Sequence, residues 1–140
     1  MELQRFKHMK RVTGIGGIFF KCKNPKKLQA WYEEHLGLEP DPEGYILFKW
    51  LERDEPHRKA HTVWGPFPED TDYFEPSKSS FMINYRVKNL DALLEQLRDE
   101  GVEVSDQTFD DKINGKFGFI MDPEGNRIQL WEPSKKSYEV

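Results

Sequence analysis

Few residues in this chain have the type and setting for chemistry. Of the four histidines, His8 stands in a basic opening stretch and His35 on the solvent side of a predicted helix. His57 falls in the charged turn Glu52-Arg53-Asp54-Glu55-Pro56-His57-Arg58. His61 falls inside a strand predicted over 59–65 and is the candidate catalytic residue, because an imidazole exchanges protons near neutral pH and can act as a general base. Alternation along that strand leaves open whether His61 and Val63 or Thr62 and Trp64 face inward. Cys22 is the single cysteine. It excludes an intrachain disulfide and a thiolate metal cluster, and reads as a small buried hydrophobe on a strand. No Ser/His/Asp spacing or paired-carboxylate motif stands out. Gly14-x-Gly16-Gly17 begins a strand, where small residues allow close packing, rather than forming the strand-to-helix loop that cradles a dinucleotide.

The elements that must position such groups come as a repeat. Residues 15–37, IGGIFFKCKNPKKLQAWYEEHLG, and 80–101, SFMINYRVKNLDALLEQLRDEG, each run apolar strand, Lys-Asn turn, amphipathic helix and terminal glycine. Lys23-Asn24 matches Lys88-Asn89, Ile18 matches Ile83 and Phe20 matches Tyr85. Two fused strand-helix-strands units tend to share one concave sheet, a natural place for a ligand. Asn24 caps a helix predicted over 25–36, with Pro25 at its first position and Gly37 as its left-handed stop. Its stripe, Leu28, Trp31, Tyr32 and Leu36, is expected to lie on the sheet. Asn89, the stripe Leu90, Leu93, Leu94 and Leu97, and Gly101 repeat the pattern over 90–100.

Strands are predicted at 15–22, 44–51, 59–65, 80–87, 102–105, 115–121 and 126–132, with a short one at 38–40. Asp122-Pro123-Glu124-Gly125-Asn126 has the residues of a tight turn and is expected to close a hairpin. The stretch from Gly65 to Pro76 is rich in breakers and joins the two copies, yet holds Phe67, Tyr73 and Phe74. It is expected to pack over the mouth of a pocket or against a partner subunit.

The chain has 140 residues, enough for one compact domain. Its 21 basic and 25 acidic residues are well mixed, with a net charge of −4, and leave no nucleic-acid footprint. No apolar run approaches the length of a membrane span. The basic opening, MELQRFKHMKR, lacks a signal core and reads as a leader, with Met9 a candidate natural start. A cytoplasmic location is expected.

The strand followed by Asn24-Pro25, Trp31-Tyr32 and His35-Leu36-Gly37-Leu38, with the late run Asp122-Pro123-Glu124-Gly125-Asn126-Arg127-Ile128-Gln129-Leu130-Trp131, resembles the glyoxalase, bleomycin-resistance and extradiol-dioxygenase superfamily of vicinal oxygen chelate proteins. The resemblance implies an α+β fold of two tandem βαβββ modules forming a curved, cup-like mixed sheet. Module one is expected over about 14–66, a linker over 66–79 and module two over 80–133, between a leader (1–13) and a tail (134–140). It also implies a cup commonly completed across a homodimer. In the family's enzymes, His and Glu side chains hold a divalent metal there. The matching positions fall on Gly17, Met82 and Gln129, which offer no side chain, a thioether and a neutral amide. A metal is therefore not expected, and no other cofactor is implied.

Strand alternation then gives the expected lining. Phe19, Met82 and Trp131 supply apolar faces, and Lys21, Asn84, Arg86 and Gln129 supply donors, with Arg127 also pointing in. Lys21 and Arg86 lie near strand ends, so solvation is an equal alternative for both. Such a cup suits an aromatic or planar ligand with an anionic or carbonyl group. Three readings follow: a metal-free protein that binds such a molecule; a small lyase, isomerase or dioxygenase-type enzyme; and a fold kept for dimerisation or partner contact.

Overall fold

The structure is a computed structural model that describes residues 11–55 and 57–136. Most of the expected leader, with His8 and Met9, and the last four residues of the tail lie outside the described residues. Among the described residues, seven strands and two helices follow one another as β1 (Val12–Cys22), α1 (Pro25–Leu36), β2 (Ile46–Leu51), β3 (Lys59–Pro68), β4 (Phe81–Val87), α2 (Leu90–Asp99), β5 (Val104–Asp111), β6 (Gly115–Met121) and β7 (Arg127–Pro133). They form one mixed sheet in the order β2-β3-β1-β4-β7-β6-β5.

The repeat in the sequence becomes a symmetry of the sheet. β1 and β4 run antiparallel at its centre, and Ile18 pairs with its repeat mate Ile83. On one side β1 pairs β3 in parallel and β3 pairs β2 antiparallel; on the other, β4 pairs β7 in parallel and β7 pairs β6 antiparallel. An approximate twofold thus passes through the Ile18–Ile83 pair.

The symmetry is incomplete at one edge. β5 extends the second module, but the expected strand at 38–40 does not form, so module one is βαββ. Pro40 and Pro42 lack the N–H a ladder needs, and the Asp41 carboxylate accepts from the Glu43 and Tyr45 amides to make a turn instead.

Both helices begin as their sequences dictate. The Asn24 side chain accepts from the Lys27 amide at 3.1 Å, and that of Asn89 from the Ala92 amide at 3.2 Å. Gly37, at φ 69°, donates to the Glu33 carbonyl and closes α1. Because a cap asparagine satisfies a helix N–H that has no other partner, Asn89→Ala is expected to lower unfolding free energy by about 1 kcal/mol in urea titrations. No change would remove the cap from the account.

The helices cover the outer face unequally. Under α2, Leu90, Leu93 and Leu94 pack with Val87 and Leu130 in the main core. None of the residues of α1 is buried. Its stripe reaches the sheet through Tyr32, whose ring lies 4.8 Å from Trp64, whereas Trp31 and Leu36 are exposed. Trp31 instead meets Tyr32 edge-on and His35 at a tilt, both on its own helix. Cys22 is half-buried rather than enclosed. A second apolar cluster, Phe74, Met82 and Phe119, lies on the opposite, concave face.

Candidate functional site

The concave face is built by β3, β1, β4 and β7, whose central residues stand side by side as Val63, Gly17, Asn84 and Gln129. β1 carries a register shift between Ile15 and Gly17, so two consecutive glycines turn toward the cup. A Cβ on Gly16 would collide with Asn84 Oδ1 and come 2.7 Å from Trp131 Cε3; one on Gly17 would lie 2.7 Å from Phe19 Cζ. The bare backbone at these positions leaves a cavity of about 690 Å³ above the sheet. That lies within the range of small-molecule sites.

Aromatic rings wall this cavity. Trp131 stacks on Phe117 with centroids 5.8 Å apart, and Phe67 on Tyr73 at 5.6 Å. Phe19 meets Phe67 edge-on. The linker accordingly packs over the cup, and two side chains of β7 hold it there. Arg127 Nη1 donates to the Tyr73 carbonyl at 2.5 Å while its guanidinium lies over Phe119, and Gln129 Nε2 donates to the Tyr73 hydroxyl at 2.7 Å. Asn84 Nδ2 donates to Gln129 Oε1 at 2.6 Å, which completes a chain of three polar side chains along the cavity floor. Burial pushes the Tyr73 phenol up, so it keeps its proton at neutral pH.

The candidates of the sequence divide into two groups. Phe19, Asn84, Gln129, Trp131 and His61 line the cavity; Lys21, Met82 and Arg86 do not. Met82 is fully buried between Phe74 and Phe119. The Lys21 ammonium lies 5.6 Å from the Phe74 ring, behind the linker. The Arg86 guanidinium sits beneath the cavity between Trp131 and Trp50, at 4.8 and 5.5 Å, near the buried Glu52 carboxylate at 3.8 Å. It is fully buried rather than solvated at a strand end.

Gly16, Phe117 and Tyr73 were missing from the sequence-derived lining. Phe117 was within reach: the hairpin at 122–126 pairs it with Trp131 and puts both rings on one face. Tyr73 comes from the aromatic linker, for which the sequence leaves a pocket mouth and a partner subunit as alternatives. Gly16 was hidden by the register shift, which breaks the alternation from which facing was inferred.

Pairing also decides the facing of β3. His61 and Val63 line the cavity, while Trp64 lies on the helix side against Phe20 and Tyr32. The His61 ring is 5.3 Å from Trp131. Burial first, then the charges of Arg86 and Lys49, push its pKa below the ordinary 6.5. The unfolded chain therefore takes up a proton on His61 before the folded chain does. Stability present above 6.5 is lost as pH falls through that value toward the lower folded pKa, and then levels. Melting temperature is expected to drop between about pH 7.5 and about pH 5.5, and less so in His61→Phe. Identical profiles for the two proteins would contradict a neutral, buried His61.

Comparison with known proteins decides the family. The model of the glyoxalase/bleomycin resistance protein/dioxygenase superfamily matches residues 14–130. The chain belongs to this superfamily. A methylmalonyl-CoA epimerase from Mycobacterium tuberculosis is 23% identical, with 96% of this chain and 99% of that one covered and a TM-score of 0.56. A methylmalonyl-CoA epimerase in complex with methylmalonyl-CoA and NH4+ is 17% identical, covering 89% and 96% of the two chains, with a TM-score of 0.63. The 2,3-dioxygenase LapB from Pseudomonas sp. KL28 is 18% identical over 92% of this chain and 43% of its own, with a TM-score of 0.58. At these identities the likeness is one of fold. No curated protein matches the sequence significantly.

The residues here do not fit the metal of the superfamily's enzymes. The central row offers an isopropyl group, no side chain and two neutral amides, and the Met82 thioether is packed away from the cavity. Divalent ions of that kind are held by imidazole, carboxylate or thiolate ligands, none of which the row supplies. Among the described residues no three His, Cys, Asp or Glu side chains are placed to hold one.

Proposed function

We propose that the protein binds a small aromatic or planar molecule in the cup, without a metal of the superfamily's type. The observation that carries this reading is the pairing of aromatic walls with the neutral Val63-Gly17-Asn84-Gln129 row. Phe19 and Trp131 would supply stacking surface, and Asn84 and Gln129 would fix orientation. Arg86 would act beneath them, holding Trp131 in place. The test is a thermal-shift screen of planar aromatics on protein purified without chelator, with plasma emission spectroscopy on the same sample. At least one such compound is expected to raise the melting temperature while Zn, Ni, Mn and Fe stay well below one per chain. A stoichiometric metal would overturn the metal-free part, and a screen in which none of the planar aromatics raises the melting temperature would overturn the aromatic part.

A second reading, a small lyase, isomerase or dioxygenase-type enzyme, has one observation in its favour. His61 is a neutral imidazole on the cavity wall, suited to accept a proton from a bound molecule. Turnover of a bound compound that is lost in His61→Gln while its affinity is retained would favour this reading.

The reading includes a homodimer in the cytoplasm, with neither nucleic acid nor membrane as partner. In support of the dimer, Ile15, Ile18, Phe48 and Phe81 remain exposed on the outer face. Light scattering is expected to give twice the chain mass, and Ile18→Asp the mass of one chain. A monomeric parent protein would remove this part.

A further inference from the structure

Resting on the aromatic cup proposed above, we infer that the site selects an uncharged planar molecule that carries both a hydrogen-bond donor and an acceptor, such as an aromatic carboxamide or lactam, over aromatic acids and esters. The cavity floor holds one unpaired acceptor and one donor with a proton to give. Asn84 is 2% exposed, and its Oδ1 has no hydrogen-bond partner among the described residues. Gly16 lies against that oxygen, where a Cβ would collide with it, and its lack of a side chain leaves the Asn84 amide room to turn toward the cavity. A buried acceptor left unmet is costly, so a ligand N–H or O–H that reaches Asn84 is favoured. At the other end of the chain, the Tyr73 hydroxyl accepts from Gln129 and so has its own proton to give to a ligand carbonyl.

The charges nearby argue against an anion. Arg127 is bound to the Tyr73 carbonyl and to Gln107, while Arg86 lies under Trp131. Among the described residues the cavity's charged lining is Asp41, Glu43 and Asp111 against one cation, Lys136. A ligand carboxylate would therefore lose its hydration in an acidic setting with little return.

The test compares naphthamide, methyl naphthoate and sodium naphthoate, all substituted at the same ring carbon, by titration against the parent protein, Asn84→Leu and Tyr73→Phe. Naphthamide is expected to bind about fivefold tighter than the ester, the worth of one neutral hydrogen bond, and the acid weakest of the three. Asn84→Leu is expected to close the gap between amide and ester. Tyr73→Phe is expected to weaken both by a similar factor. Equal affinities for amide and ester, an acid that binds as tightly as the amide, or a gap that survives Asn84→Leu would each overturn the inference. The parent-protein series decides even if a variant fails to fold. Equal binding of all three probes leaves the aromatic cup intact and removes only its selectivity, whereas no binding by any of them removes both.

Discussion

Arg86→Ala is expected to destabilise the protein by about 3–5 kcal/mol, the usual cost of breaking a buried ion pair from one side. Its guanidinium is fully buried between the Trp50 and Trp131 rings, with Nη2 3.8 Å from the Glu52 carboxylate and Nη1 donating to the His61 carbonyl at 3.5 Å. Truncation would open a void between two indoles. It would also leave the buried Glu52 with the partly exposed Arg58, at 3.7 Å, as its remaining counter-charge among the described residues. The paired change Arg86→Met with Glu52→Leu is expected to recover most of the loss, because it removes both charges and refills the space. Urea unfolding reads both. A loss below about 1 kcal/mol for Arg86→Ala would put the residue in the class of exposed pairs and contradict the packing described.

Gly16→Ala is expected to have the largest effect on binding. The added methyl would meet Asn84 Oδ1, Trp131 Cε3 at 2.7 Å and Arg86 Cγ at 3.0 Å, none of which can withdraw freely from a buried position. Overpacking of this kind costs about 1–3 kcal/mol in stability. The same methyl would press on the unpaired acceptor and displace the indole that forms one wall. Affinity for a planar aromatic is expected to fall roughly tenfold or more, equivalent to at least 1.4 kcal/mol. His35→Ala, on the exposed face of α1, is the neutral control. Equal affinities in Gly16→Ala and the parent would place the ligand elsewhere.

Much of the frame can be read from the sequence, because repeat and capping signals are local. Asn24, Pro25 and Gly37 delimit α1, and the match of Ile18 to Ile83 anticipates the pair at the centre of the sheet. What escaped depends on partners that no local signal reveals. β5 runs from Val104 to Asp111 rather than stopping at 105, because Val-Ser-Asp-Gln-Thr-Phe-Asp-Asp is an edge strand without an apolar face. β3 continues through Pro66 to Pro68 where a break is expected. Its pairing with β2 ends at Trp64, so the prolines lie where one side of the strand has no ladder to complete.

The candidate site was legible in the same uneven way. Asn84, Gln129 and Trp131 follow from alternation along unbroken strands. The same rule places Arg86 on the correct face but cannot tell a cavity wall from a group buried beneath one. That distinction depends on Trp131, which lies between Arg86 and the open space.

The most direct test of a metal-free aromatic cup is a calorimetric titration of naphthamide into the protein, once after exhaustive dialysis against EDTA and once with divalent ions restored. Equal affinity in the two titrations is the expected result, since Phe19, Trp131, Asn84 and Gln129 form the contacts without an ion. Binding that appears only when Zn²⁺, Ni²⁺, Mn²⁺ or Fe²⁺ is added back would contradict it.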